Sequence, residues 1–138
     1  MKILITGTAG FIGFHTAKRF INEGFDVVGL DSINDYYDKN LKYARLNQTG
    51  IDRDKITYGH LVNSTKFNNY RFIKLQIEDK DEILKLFDTE KFDYVCHLAA
   101  QAGVRYSIEN PYVYFHSIIN GFLNIIEASK RNKIKHLV

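Results

Sequence analysis

Three glycines spaced three residues apart, Gly7, Gly10 and Gly13 in "TGTAGFIG", can do chemistry together with Asp31, a carboxylate about twenty residues further on. A glycine turn between a strand and a helix can cradle a phosphate. Gly7 allows the tight turn, Gly10 leaves no side chain between backbone and anion, and Gly13 lets the helix lie close to the sheet. The helix that starts at Phe11 and Ile12 offers its unbonded N–H groups and a positive partial charge to the anion. Asp31 ends the next strand, where a carboxylate can accept both hydroxyls of an adenosine ribose. A 2′-phosphate there would meet like charge, and the neighbouring Ser32 brings no cation to offset it. The alternative, glycines that serve strand–helix packing alone, does not account for the acid. The pattern therefore predicts a dinucleotide seat that takes NAD rather than NADP.

The elements that must hold these residues alternate. Lys2 to Thr6 reads as a short apolar strand. Phe11, Ala17, Phe20 and Ile21 fall at helical spacing up to about Asn22, with Gly24 as a stop. "DVVGL" is a second strand. The stretch from Ser32 to about Asn69 is less regular, with a helix in "NLKYARLNQTG" ending at Gly50 and no clear period after it. Arg71 to Ile77 predicts a third strand, and Asp79 with Glu82 resembles a capping box that opens a helix through Phe87. "FDYVCHLAA" is a fourth strand, Asn110-Pro111 opens a long helix to about Asn132, and "HLV" begins a fifth strand. The order predicts an α/β fold, a Rossmann-like doubly wound parallel sheet in a single domain spanning 1–138.

Composition excludes several classes. Hydrophobic residues make up 45% and charged ones 25% of the 138 residues, a globular balance rather than a disordered one. The net charge of +3 is spread along the chain, and the basic enrichment between Asn40 and Lys74 reads as a solvated face, so no nucleic-acid partner is expected. Cys96 is the only cysteine, a packed thiol in an apolar run. No signal peptide and no run of ~20 apolar residues is present, so no membrane partner and a cytoplasmic location are expected. No histidine pair has metal-ligand spacing with a third donor, and no metal is expected. His97 reads as a core histidine. The aromatic run "NPYVYFHS" reads as helix core.

The T-G-x-x-G-x-x-G form of the glycine turn resembles the extended short-chain dehydrogenases/reductases. "HLAAQAGVRYSIENP", the later "NGFLNIIEA" and "GLDSINDYYDKNLKYARL" together resemble the nucleotide-sugar 4-epimerases of that superfamily, and most of all the UDP-glucuronate 4-epimerases. The resemblance covers essentially the whole chain. It implies NAD as cofactor, a UDP-sugar as substrate, transient hydride transfer from sugar C4, and a homodimer. It also implies that Leu98, Ala99 and Ala100 pass beside the pyrophosphate and nicotinamide ribose. Gln76 and Ile77 take the place of an Asp–apolar pair near the adenine, where the Gln76 amide carbonyl can accept the same hydrogen bond without charge. Ile118 stands where such proteins carry an Asn near the cofactor. Arg105 and Tyr106 are expected on the loop after the fourth strand, where Arg105 either meets a phosphate or sugar carboxylate or pairs with Glu109.

The same resemblance places a catalytic Ser or Thr and a Tyr-x-x-x-Lys pair beyond Val138. Tyr70 and Lys74 have that spacing, but in a strand four residues span roughly 13 Å, so they are no catalytic pair. The expectation is an NAD-binding part without catalytic residues or substrate domain, with the fourth strand's edge left largely open. Such a chain should be marginally stable or self-associating and bind NAD weakly if at all. Two alternatives remain open at this point, a 4,6-dehydratase or decarboxylase of a nucleotide sugar and a non-catalytic NAD-binding module.

Overall fold

A computed structural model describes residues 1–101 and 104–138. It alternates β1 (Lys2–Thr6), α1 (Phe11–Asn22), β2 (Asp26–Asp31), α2 (Lys39–Gln48), β3 (Leu61–Asn63), β4 (Tyr70–Lys74), α3 (Lys80–Glu90) and β5 (Tyr94–His97). Then follow α4 (Val104–Glu109), α5 (Pro111–Tyr114), a π-helical segment (Phe115–Gly121), α6 (Phe122–Arg131) and β6 (His136–Leu137). The six strands form one sheet in the order β3-β4-β2-β1-β5-β6. All neighbours are parallel except β3, which runs antiparallel to β4 at the edge. This is the doubly wound arrangement that the alternating pattern predicts.

The central strands are apolar throughout because both faces are covered. Ile3, Ile5, Val27 and Phe72 pack on one side with Ala17 and Ile21 of α1. Leu4, Val28, Leu30 and Ile73 pack on the other with Ile83, Leu86 and Phe87 of α3 and Ile125 and Ala128 of α6. Each of the larger of these side chains contributes about 1.5–3 kcal/mol on leaving water. Asp79 caps α3 by accepting from the Glu82 N–H, as the capping pattern implies.

At the amino-terminal end of the sheet, Glu90 is buried yet charged. Arg71 donates to both its oxygens at 2.9 and 2.7 Å, and the Lys2 ammonium donates at 3.0 Å. Burial alone would push the Glu90 carboxyl up; those hydrogen bonds outweigh it and hold the carboxyl below its ordinary value.

Several expectations need correction. The stretch after Gly50 is not featureless, since Leu61–Asn63 forms the short edge strand β3. The third strand stops at Lys74, so Gln76 and Ile77 lie in the turn after it. Phe11 is exposed, and Phe14 takes its place in the core of α1. In "NPYVYFHS", Tyr112 and Phe115 are exposed rather than core. The long helix exists from Pro111 to Arg131 but carries a full π-helical stretch in its middle. The edge of β5 is also less open than expected. β6 pairs with Tyr94 and Val95, and beyond it His97 N–H donates to the Val138 carbonyl at 2.6 Å.

Candidate functional site

A cleft of about 940 Å³ opens at the carboxyl ends of β1, β2, β4 and β5, where open α/β sheets bind their ligands. Its floor is the glycine turn. Gly7 holds φ +77°, and its N–H donates to the Leu30 carbonyl at 2.7 Å, tying the turn to β2. A Cβ on Gly13 would overlap the Gly7 carbonyl, so the close approach of α1 to the turn requires glycine there. Gly10 is the N-cap of α1 and no side chain caps that helix. The first-turn amides of Phe11, Ile12 and Gly13 are therefore available where those residues line the cleft.

Asp31 is 7% exposed and held from two sides. One oxygen accepts the Ala9 N–H at 3.0 Å and the other the Ile33 N–H at 2.8 Å. The Asp31 carbonyl meanwhile accepts the Leu75 N–H, which brings the segment after β4 alongside. Gln76 and Ile77 form the cleft wall beyond Asp31, and Leu98, Ala99 and Ala100 form the opposite wall. That opposite wall is stitched to the floor by a single hydroxyl: Thr6 Oγ1 accepts from Leu98 N–H at 3.0 Å and Ala99 N–H at 2.9 Å. The eleven residues expected to hold a cofactor thus surround one cavity.

Two other expectations, those for Arg105 and Ile118, need correction. Arg105 is exposed and sits on α4, not on a loop, and it is not among the described residues lining the cleft. The side chain of Tyr106, like Ala102 and Gly103, lies outside what the structure describes. Ile118 faces a smaller apolar cavity of about 340 Å³ shared with His97 and Phe122, while its neighbour Ser117 reaches the cleft. His97 stacks on Phe122 at 5.4 Å, with Nδ1 2.8 Å from Thr6 Oγ1, and burial lowers its pKa. It is a packing histidine. Cys96 is buried, and that burial pushes its thiol up. Tyr70, at the start of β4, is fully enclosed beside Thr8 and Thr49, and burial pushes its phenol up to about 12. It is no base. No cluster of candidate metal ligands occurs among the described residues.

Sequence reasoning missed two cations. Lys42 and Arg45 of α2 line the cleft, so Asp31 is not without positive neighbours. Lys42 is 4% exposed, donates to Asn34 Oδ1 at 2.5 Å and lies 4.7 Å from the Tyr37 ring centre. Burial lowers its pKa, and the charge of Asp31 opposes that shift. Arg45 donates to the Ala9 carbonyl and to the Tyr37 hydroxyl, both at 3.1 Å, bracing the glycine turn from outside. Their spacing of three on one helix face was the available signal.

Residues 3–138 match the NAD dependent epimerase/dehydratase family. The chain is 48% identical over its whole length to "Protein CapI" of Staphylococcus aureus, covering 36% of that protein. It is 40% identical over 135 residues to a UDP-glucuronate 4-epimerase of Thermodesulfobacterium geofontis, covering 98% of this chain and 37% of that one. Among solved structures, it superposes on UDP-glucose 4-epimerase of Thermotoga maritima with UDP-glucose at a TM-score of 0.74 and 29% identity. That match covers 99% of this chain and 36% of the other. The Thermus thermophilus UDP-glucose 4-epimerase complex with NAD gives a TM-score of 0.72 and 28% identity, with the same coverage. The chain thus spans a little over a third of the length of the curated relatives it matches.

Proposed function

Because the chain belongs to the NAD dependent epimerase/dehydratase family, we propose that its cleft is the NAD seat of a nucleotide-sugar 4-epimerase acting on a UDP-sugar, UDP-glucuronate first among them. The observation that carries this reading is Asp31, anchored by two backbone amides beside the uncapped start of α1. Gly7, Gly10 and Gly13 with the amides of Phe11 and Ile12 receive the pyrophosphate. Asp31 accepts the adenosine ribose hydroxyls, Gln76 and Ile77 border the adenine, and Leu98, Ala99 and Ala100 border the nicotinamide half. Bound NAD would supply the hydride acceptor for the sugar C4. Tyr70 cannot take the matching hydroxyl proton from inside the core, so the base is assigned to residues outside 1–138. The short share of its relatives' length supports reading 1–138 as the cofactor-binding part, with the substrate domain elsewhere. A cytoplasmic homodimer belongs to the same proposal. Exposed apolar side chains on the π-helical segment and α6 support the dimer, and no helix among the described residues is long and apolar enough to cross a membrane.

Cofactor titration tests the seat. The chain should bind NAD(H) in preference to NADP(H), and Asp31→Ala should narrow that preference, since the positive charges of Lys42 and Arg45 in the same cleft would no longer be opposed by a carboxylate there. Equal or tighter NADP(H) binding by the unaltered chain would refute it. Epimerisation of UDP-glucuronate by the longer protein carrying this segment tests the reaction.

A further inference from the structure

Asn124 lies on α6, outside the cleft, yet its side chain grips the cleft wall. Its amide nitrogen donates to the Ile77 carbonyl at 3.0 Å and to the Glu78 carbonyl at 3.1 Å. Both Ile77 and Glu78 line the cleft. One turn earlier, Gly121 is buried, and a Cβ there would come within 2.6 Å of Ile77 Cγ1. The Ile77 side chain, 5% exposed, thus rests on the bare backbone of the π-helical segment while Asn124 holds its carbonyl.

The wall needs such a hold. After Lys74 the chain leaves the sheet, and the segment is tied back by single bonds, Leu75 N–H to the Asp31 carbonyl at 3.1 Å and Gln76 N–H to the Tyr58 hydroxyl at 3.4 Å. With a pyrophosphate over the β1–α1 turn and a ribose at Asp31, the strand order puts the purine beyond β2, over the end of β4. That is where the Gln76–Glu78 wall stands.

We infer that Asn124 is a positioning residue for the adenine half of the cofactor, acting through the Ile77–Glu78 backbone and never touching the ligand. The inference rests on the cofactor reading above. It assigns to α6 a part in cofactor affinity that its distance from the glycine turn conceals.

The test compares the unaltered chain with Asn124→Asp and Asn124→Ala, titrated with AMP and NAD at a temperature where circular dichroism shows each folded. Asn124→Asp keeps the shape and removes the donor, so a packing role would survive it. Both variants should lose roughly tenfold in affinity for AMP and NAD alike, as loss of two hydrogen bonds to the wall, one of them partly buried, implies. Should Asn124 variants not fold, Gly121→Ala, which displaces Ile77 from the other side, should show the same loss. AMP affinity within twofold of the unaltered chain in Asn124→Asp, or in Gly121→Ala where that variant stands in, overturns the inference and leaves the NAD seat intact. An unaltered chain that binds neither AMP nor NAD overturns the seat and the inference together.

Discussion

The two flanks of β1 are finished differently. On the β2–β4 side the strands are covered on both faces, the acid of the cleft is locked by backbone amides, and Glu90 closes the far end with Arg71 and Lys2. On the β5–β6 side the last strand contributes two residues, and Phe115, Ile119 and Leu123 each leave more than half their surface in water. The difference bears on where the proposed selectivity would reside. The groups proposed to choose a ligand, Asp31 and Lys42, stand on the first flank, where backbone amides and burial hold them. The other flank presents apolar surface suited to further packing.

Substitutions that strike the two flanks should separate in size. Gly13→Ala should cost the most, at least ~3 kcal/mol by urea denaturation, because the added carbon has only backbone to displace. A cost under ~1 kcal/mol would mean that the glycine turn is not rigid. Glu90→Gln should cost about 2 kcal/mol, since it removes the buried charge from Arg71 and Lys2 but leaves them partly exposed and beside Asp26. The pH dependence sharpens this case. The folded Glu90 carboxyl titrates below its ordinary value of 4.5, so its contribution is complete above that value and is lost as pH falls through the lowered one. Acid titration of stability should show that component in the unaltered chain and not in Glu90→Gln.

On the other flank, Leu123→Gln should change stability by no more than ~0.5 kcal/mol while reducing self-association in sedimentation velocity. A large loss of stability there would erase the contrast between flanks. Arg105→Ala should do least to the chain itself, leaving stability and NAD affinity unchanged. In the longer protein it should weaken handling of the nucleotide sugar more than NAD binding, as steady-state kinetics would show. If neither changes, Arg105 is a surface residue that pairs at most with Glu109.

Much of the rigid flank was legible in the sequence because its constraints are local. Glycine spacing, the strand before it, the helix after it and Asp31 all lie within about thirty residues, and each bears on backbone geometry that only certain residues allow. The alternation of apolar strands and helices carried the sheet in the same way. Lys42 and Arg45 stayed hidden because their role depends on how the loop from Ser32 to Asp38 folds back over the cleft, which no period records. The edge strand Leu61–Asn63 was missed because three residues give no alternation to read, and its pairing with β4 is tertiary. Phe11 looked like core by spacing, but it opens α1 at the cleft and stays exposed, its ring set edge-on to His15. Asn124 reads as one more polar residue on a helix; only the arrival of the Ile77–Glu78 backbone gives it a task.

The single hydroxyl of Thr6 also imposes an order in time. The contact between Ala9 and Asp31 closes a loop 22 residues long, whereas the bonds from Thr6 to Leu98 and Ala99 join positions 92 and 93 residues apart. Long closures carry the larger entropic cost and are slow to form. During synthesis the Asp31 side of the glycine turn can therefore assemble while the opposite wall has yet to leave the ribosome, and Thr6 waits for Leu98 and Ala99 to close that seam.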